Sequence, residues 1–239
     1  MKKTLLTLSL SLLTISSVQA SEWGYNDDLH GPAHWGSVAQ DCAMTKNQSP
    51  INIEQATPAS LEALSLSYSG NVIGFTNNGH TLQAQVEGQN TLTIDGKAFE
   101  LQQFHFHTPS ENVIKNHQYP LEAHFVHANE EGELAVLSVM FDEGLPNSAL
   151  TQLISHIPAK ENTDFFSDGF KIKELLPEST HYYRFNGSLT TPPCSEGVRW
   201  FVLKDTQSLA KEQAAKLMSV MGQNNRPLQP LNARVVLSK

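Results

Sequence analysis

Two segments in which polar and apolar residues alternate decide the fold: Phe99-Glu-Leu-Gln-Gln-Phe-His-Phe-His107 and Glu122-Ala-His-Phe-Val-His-Ala128. Alternation over seven to nine residues predicts β-strands, because successive side chains of a strand point to opposite faces of a sheet. His105 and His107 therefore share one face, and a hairpin-like return of the chain would place His124 beside them. The pattern indicates three imidazoles on one face of a β-sheet.

Much of the remaining chain also has the pattern of strands. Further strands are predicted at 80–86, 134–141 and 198–204, and turn residues separate the segments at 77–79, 87–88, 95–96 and 130–132. Helical spacing of apolar residues predicts short helices at 147–157 and 208–221. The composition is even after Trp23, which favours one domain over residues 21–239. The expected fold is mainly β (α+β), a twisted and mostly antiparallel central sheet with short peripheral helices.

The first twenty residues have the organisation of a secretory signal peptide. Lys2 and Lys3 precede an apolar segment from Leu5 to Ile15, and Val18-Gln19-Ala20 places small residues at the −3 and −1 positions of a cleavage site. The apolar segment is too short and too rich in Ser and Thr for a stable membrane span. The sequence therefore predicts a cleaved leader at 1–20, no membrane anchor, and a periplasmic or secreted protein.

Charge and cysteine content are consistent with export. The formal charge of the chain is −8 and becomes −10 when the two leader lysines are removed, which argues against nucleic acid or an anionic membrane as a partner. Cys42 and Cys194 are the two cysteines. An oxidising compartment favours one intramolecular disulfide between them, and two unpaired thiols are the alternative.

The three histidines have the composition of a catalytic metal site. Three neutral imidazoles without a fourth protein ligand form the open tetrahedral arrangement of catalytic zinc, although cobalt also binds such sites. Gln103 and Glu122 each lie two residues before a histidine on the same face, where they can accept the other ring N–H. A solvated edge position is the alternative for Glu122. His127 has the opposite parity from His124 and is expected to be structural.

At this point the sequence resembles a known family, the alpha-class carbonic anhydrases. The resemblance rests first on Gln103-Phe-His-Phe-His-Thr-Pro-Ser-Glu111, Glu122-Ala-His-Phe-Val-His127 and Gly187-Ser-Leu-Thr-Thr-Pro-Pro-Cys194. It extends over most of the chain through 23–25, 31–35, 47–50, 77–80 and 225–230. Several ordered blocks at compatible spacing are more specific than any single motif, and the Cys42–Cys194 pairing matches secreted members.

The resemblance implies zinc-dependent, reversible hydration of carbon dioxide to bicarbonate and a proton by a zinc-bound hydroxide. The implied zinc ligands are His105, His107 and His124. Thr190 would accept a hydrogen bond from the hydroxide and donate its own proton to Glu111. Residues implied at the substrate pocket are Val126, Val136, Leu189, Thr191, Val198 and Trp200. Sulfonamide-type inhibitors are expected to bind.

The resemblance also implies a route for the product proton. His80 would be the proton shuttle, since an unperturbed histidine pKa near 6.5 is suited to transfer in both directions. Tyr25, Asn78 and Gln83 fall where polar side chains order the bridging waters.

One departure and two alternatives accompany this interpretation. Family members often carry a second histidine directly after the Pro-Ser-Glu glutamate, where this chain has Asn112; an asparagine can still donate to a neighbouring carboxylate. A binding module that has lost zinc ligands is one alternative function, but His105, His107 and His124 are all present. A zinc esterase using the same chemistry is the other.

Overall fold

The structure is a computed structural model that describes residues 23–26 and 29–239. The predicted signal peptide at 1–20 lies outside the described residues. The strands are β1 (Asn52–Ile53), β2 (Thr57–Pro58), β3 (Ser65–Tyr68), β4 (Asn71–Asn77), β5 (Leu82–Glu87), β6 (Asn90–Ile94), β7 (Lys97–His107), β8 (Val113–Ile114), β9 (Leu121–Ala128), β10 (Leu134–Glu143), β11 (Asn162–Lys171), β12 (Tyr182–Ser188), β13 (Glu196–Leu203), β14 (Gln207–Leu209) and β15 (Leu237–Ser238). The helices are α1 (Trp35–Val38), α2 (Asp41–Met44), α3 (Ser148–Ser155) and α4 (Lys211–Met221), with 3₁₀ turns at Pro32–His34 and Ile172–Leu175.

A thirteen-stranded sheet dominates the described part of the chain. Its main path runs β11-β4-β5-β7-β9-β10-β13-β12-β15-β2, with β3, β6 and β14 attached at the side, while β1 and β8 form a small parallel pair. Most neighbouring strands are antiparallel, but β10 pairs in parallel with both β13 and β14, and β15 with β2. The expectation of a mainly β fold built on a twisted, mostly antiparallel sheet is confirmed.

The alternation in β7 and β9 divides the sheet into two different faces. Phe104 and Phe106 of β7, with Phe125 of β9, are fully buried in the larger apolar core. The intervening residues of both strands point to the opposite face, as the period of two requires. A smaller apolar core, which includes Val136 and Trp200, packs on that second face. The histidine face is therefore backed by aromatic packing and bordered by apolar side chains.

The two predicted helices are present as α3 and α4, while the short helices α1 and α2 were not predicted. α3 has Asn147 as its N-cap, whose side chain accepts the Leu150 N–H at 3.0 Å. The predicted second helix at 208–221 begins later, at Lys211, because residues 207–209 form β14 instead. In β14 the buried Leu209 aligns with Glu143 at the end of β10. Backbone pairing with a buried strand therefore prevails over helical spacing at these residues.

Several strands were not predicted from the sequence pattern, among them β3, β4, β6, β12 and the edge strand β11. The reason is clearest for β11. It forms one edge of the sheet, and most of its side chains are exposed. An exposed edge strand needs no buried apolar face, so its sequence lacks the alternation that identifies β7 and β9.

Cys42 and Cys194 form a disulfide with a Cα–Cα distance of 4.9 Å, so the predicted pairing is confirmed. The bridge joins α2 to the loop between β12 and β13. No helix in the described ranges is long and apolar enough to cross a bilayer.

Candidate metal centre

Strands β7 and β9 bring His105, His107 and His124 together. The two strands are antiparallel neighbours, and His105 lies directly opposite His124 in their register. One ring nitrogen from each of the three histidines lies within 4.8 Å of the others. Strand parity directs all three side chains to one face of the sheet. The pairing of β7 with β9 then brings His124 close in space to His105 and His107, although it lies 17 residues after His107 in the sequence.

Each histidine has a polar partner beside the nitrogen that faces away from the cluster. His105 Nδ1 donates to Gln103 Oε1 at 2.9 Å, and His107 Nδ1 donates to the carbonyl oxygen of Asn224 at 2.7 Å. His124 faces Glu122 with its other nitrogen: Nε2 lies 2.8 Å from Glu122 Oε1, a close contact that lacks hydrogen-bond geometry. The nitrogens that remain for an ion are Nε2 of His105, Nε2 of His107 and Nδ1 of His124. Such partners fix the tautomer and the ring orientation of a metal ligand.

The chemistry of this cluster fits a metal ion. His107 Nε2 is buried and has no hydrogen-bond partner, an arrangement that is costly unless another group binds the lone pair. Burial lowers the pKa of both His105 and His107, and the neighbouring histidines lower that of His105 further. Neutral imidazoles are the ligand form. Three neutral nitrogen donors without a fourth protein ligand suit zinc with an open coordination position.

Glu122 is the centre of a buried hydrogen-bond network behind His124. Its Oε2 accepts the backbone N–H groups of Glu111 and Asn112 at 2.7 and 2.8 Å. Its Oε1 accepts Asn112 Nδ2 at 2.8 Å and Ser138 Oγ at 2.6 Å. Burial alone would raise the pKa of Glu122, but His124 and these donors together lower it to about 2. Glu122 is thus a buried carboxylate rather than a solvated edge residue, and Asn112 supplies one of its donors.

Glu111 lies beside the cluster in a different electrostatic state. Its Oε1 accepts the backbone N–H of Arg226 at 2.7 Å. Its Oε2 lies 3.5 Å from His107 Nε2 and has no partner of hydrogen-bond geometry. Burial raises the pKa of Glu111 to about 7, although His124, the Arg226 N–H and the Thr190 side chain each lower it. Thr190 is itself buried, so a threonine hydroxyl and a carboxylate adjoin the three histidines.

An apolar wall stands next to His124. The Trp200 ring contacts the His124 ring edge-on, with centroids 4.9 Å apart. Val136 lies opposite Trp200 on one side and opposite Val126 on the other in the strand register. Val198 is buried in the same cluster and Leu189 packs against it. Thr191 is half-buried, and its carbonyl oxygen accepts the Cys194 N–H at 2.8 Å.

His80 lies outside the three-histidine cluster, in the turn between β4 and β5. Its ring stacks on Trp23, with centroids 4.0 Å apart. Trp23, Tyr25 and His80 help to line a surface cavity of about 450 Å³. Burial, followed by the charge of Glu111, raises the pKa of Tyr25. The cavity is therefore lined by residues of both this turn and the N-terminal segment.

Asn78 and Gln83 were also expected near the proton route; Asn78 lies in the turn and Gln83 lies in β5. Asn78 caps the turn, since its Oδ1 accepts the N–H groups of His80 at 3.0 Å and Thr81 at 2.9 Å. Gln83 lies opposite His105 in the β5–β7 register, which places it on the histidine face of the sheet.

His127 lies on the other face of β9, as its parity predicts. It is fully buried, its Nδ1 donates to the Ala135 carbonyl at 3.2 Å, and Tyr68 Oη hydrogen bonds to Nε2. It does not belong to the metal cluster.

Sequence reasoning missed three residues that shape the site: Ser138, Asn224 and Arg226. Arg226 reaches Glu111 through its backbone N–H, and Asn224 reaches His107 through its backbone carbonyl; backbone atoms carry no residue-type signal. Ser138 is recognisable only once β10 is known to pair with β9, where it lies opposite His124. A buried serine within an apolar strand was the one available clue.

Comparisons with known proteins agree with this geometry. The family model described as eukaryotic-type carbonic anhydrase matches residues 30–239. A carbonic anhydrase of Pectobacterium carotovorum is 46% identical over 240 residues, covering 97% of this chain and 98% of that protein. Two solved structures are also similar. The Photobacterium profundum alpha-carbonic anhydrase has a TM-score of 0.89 and 58% identity over 90% of this chain and 100% of its own. The alpha-carbonic anhydrase of Thermovibrio ammonificans in complex with the inhibitor sulfanilamide has a TM-score of 0.87 and 43% identity over 92% and 100%.

Proposed function

The chain belongs to the eukaryotic-type, or alpha, carbonic anhydrase family, and we propose that it hydrates carbon dioxide reversibly with a zinc ion held by His105, His107 and His124. The observation that carries this proposal is the cluster of three imidazole nitrogens, one of them the buried and unpartnered His107 Nε2. When zinc is bound, the chemistry it supplies is the acidification of a coordinated water near neutral pH, as is established for carbonic anhydrases. The reaction converts carbon dioxide and water into bicarbonate and a proton.

Thr190 and Glu111 orient the nucleophilic solvent molecule in this proposal. Thr190 Oγ1 donates its proton to the Glu111 carboxylate. Towards the solvent molecule, the Thr190 oxygen can then act only as a hydrogen-bond acceptor. Glu111 must be ionised to accept that proton. Burial opposes ionisation, and a nearby divalent cation favours it, so metal binding and the acceptor role of Glu111 support one another.

The wall beside His124 gives carbon dioxide an apolar resting place. Carbon dioxide carries no net charge or dipole, so it gains little from hydrogen bonds and is best held by apolar contact. The proposed pocket is lined by Val126, Val136, Leu189, Thr191, Val198 and Trp200. Trp200 of this pocket contacts the His124 ring, which supports binding of carbon dioxide next to the proposed metal position.

His80 is proposed to carry the product proton from the site to solvent. It is half-buried beside a surface cavity, and an imidazole exchanges protons readily near pH 7. Tyr25, Asn78 and Gln83 are proposed to hold the water molecules between His80 and the metal position. The placement of Gln83 opposite His105 supports this role.

We also propose that the mature protein is one domain, residues 21–239, exported by a signal peptide at 1–20 to the periplasm or the exterior. The Cys42–Cys194 disulfide supports this location, because disulfides persist in oxidising compartments. Sulfonamides are proposed as inhibitors, since the Thermovibrio ammonificans relative is solved with sulfanilamide.

The proposed function is tested by stopped-flow carbon dioxide hydration combined with metal analysis. Zinc-loaded protein should hydrate carbon dioxide, zinc-free folded protein should not, and added zinc should restore the rate. His124→Ala should lose most bound zinc, whereas Thr190→Ala should retain zinc and hydrate slowly. The exposed His117 provides a control, because His117→Ala removes an imidazole on the surface.

Full hydration activity after complete metal removal would reject the proposed mechanism. Ester hydrolysis measured on the same samples distinguishes an esterase: a zinc-dependent esterase rate without hydration would favour that alternative. A folded, zinc-free protein that recovers neither activity with zinc would favour a binding module.

A further inference from the structure

The side-chain amide of Asn224 connects the two parts of the site that the proposed function needs, the ligand strand and the proton shuttle. Asn224 is fully buried. Its Nδ2 donates to the carbonyl oxygen of His80 at 3.1 Å and to that of Phe106 at 3.0 Å. Its Oδ1 accepts the Thr108 N–H at 2.7 Å. Every strong hydrogen-bonding atom of the amide is therefore used, across two segments far apart in sequence.

The backbone and the side chain of Asn224 contact different parts of the site. The backbone carbonyl oxygen accepts His107 Nδ1 at 2.7 Å and thereby orients a proposed metal ligand. That contact does not depend on the residue type. The side chain instead bonds to the backbone of His80 and to Phe106, the residue between His105 and His107. A substitution at 224 can therefore remove the link to His80 while leaving the carbonyl that holds His107.

The turn that carries His80 also contacts the strand of His105 and His107 directly. Asn78 Oδ1 holds the His80 N–H, which shapes the turn internally. Thr81 Oγ1 donates to the Phe106 carbonyl at 2.6 Å. Asn224 adds the bond to the carbonyl of His80 itself. The bonds from Thr81 and Asn224 meet at the Phe106 carbonyl of β7, and Thr81 Oγ1 also accepts the Phe106 N–H at 3.3 Å, so the turn is held beside the residue that separates His105 from His107.

We infer that Asn224 is a positioning residue for proton transfer, which acts by fixing the backbone of His80 relative to the ligand strand. This inference rests on the proposed function. Proton transfer through bridging waters depends on the separation of donor and acceptor, and small displacements of reacting groups cost large factors in rate. Loss of the amide should therefore slow proton transfer more than metal binding or the hydration step itself.

The test is Asn224→Ala, with Asn225→Ala as the matched control on the adjacent, half-buried asparagine. Exchange of ¹⁸O between carbon dioxide and water, followed by mass spectrometry, measures interconversion at the metal and the proton-dependent release of labelled water separately. Asn224→Ala should lower the release rate by about tenfold in dilute buffer and leave interconversion near the wild-type value. Added imidazole should restore the release rate. Zinc affinity, measured against a chelator, should change by less than about tenfold, since the carbonyl at 224 remains.

A second comparison separates positioning from a general structural effect. In a His80→Ala background, Asn224→Ala should cause no further loss of proton release, because the group it positions is absent. An equal loss in both backgrounds would overturn the inference, as would parallel loss of zinc or an unchanged release rate in the single variant. Should Asn224→Ala fail to fold, Asn224→Asp keeps the acceptor for the Thr108 N–H and is subject to the same criteria. An inactive wild-type protein would reject the proposed function, whereas an active wild type with an unaffected variant would reject this inference alone.

Discussion

At the scale of single residues, histidines of one strand have opposite roles according to the face they occupy. His124 points to the metal face with Glu122 behind it. His127 is buried on the other face, between the carbonyl of Ala135 and the hydroxyl of Tyr68. Burial lowers the pKa of His127 to about 4, although hydrogen bonds to the Ala135 and Phe125 carbonyls raise it in part. A buried neutral histidine links folding stability to pH.

The sign of that linkage is definite. The unfolded chain protonates His127 near pH 6.5 and the folded protein only near pH 4, so the unfolded state binds more protons between these values. His127 therefore makes the free energy of unfolding fall by about 2–3 kcal/mol as the pH drops from 6.5 to 4, and little below that. Urea titrations of metal-free wild type and His127→Gln across this range should show a shallower pH dependence for the variant. Identical slopes would contradict the buried neutral assignment.

At the scale of elements, the β7–β9 pair carries both the three-histidine cluster and aromatic residues of the larger apolar core. Phe106 lies between His105 and His107 on the opposite face, where its ring contacts those of Phe75 and Phe104 edge-on, at centroid distances of 6.2 and 5.8 Å. The packing of one face thus sets the positions of His105 and His107 on the other.

Phe106→Ala should lower the free energy of unfolding by about 3–5 kcal/mol, because it leaves a cavity in a fully buried aromatic cluster. Phe106→Leu retains most of the volume and should cost less. Urea unfolding of the metal-free proteins measures both. Zinc affinity should fall in the alanine variant, since the strand that holds two ligands loses its support. A cost below about 1 kcal/mol would show that the core repacks around the missing ring.

At this scale, the sequence was informative mainly through the two-residue period of its β-strands. Parity alone places His105, His107 and His124 on one face and His127 on the other, and it separates Phe104 and Phe106 from the ligands. Several strands were not predicted; of these, β11 was missed because an exposed edge lacks this pattern. The start of β14 was mistaken for helix because short parallel pairing leaves no local signature.

At the scale of the whole molecule, the disulfide joins the N-terminal part of the chain to the loop that carries Thr190. Cys194 lies four residues after Thr190, and the bridge spans 152 positions in sequence. Gln48 Nε2 donates to the Cys194 carbonyl at 2.9 Å, and Arg226 Nη1 donates to Gln48 Oε1 at 2.7 Å. The loop is therefore held by the disulfide and by a buried cation.

Replacing both cysteines with serine should lower the free energy of unfolding by up to about 5 kcal/mol, the loop-closure value for a bridge of this span. Guanidinium unfolding with and without dithiothreitol provides the measurement. Reductant should destabilise the wild type and leave the double-serine variant unchanged. Equal unfolding midpoints for wild type and variant without reductant would show that the bridge contributes nothing to stability.

The sequence by itself determined which three histidines cluster, the face on which they lie and the mainly β character, because these depend on residue type and on a period of two that is local to each strand. Only the tertiary structure decided that the Asn224 carbonyl holds His107, that the Arg226 N–H holds Glu111, and that Ser138 and Asn112 surround Glu122. The parallel pairing of β10 with β13, which sets Trp200 beside the site, also came from the structure. These contacts involve backbone atoms or join segments that are far apart along the chain. Contacts of both kinds leave no local pattern in the amino-acid sequence.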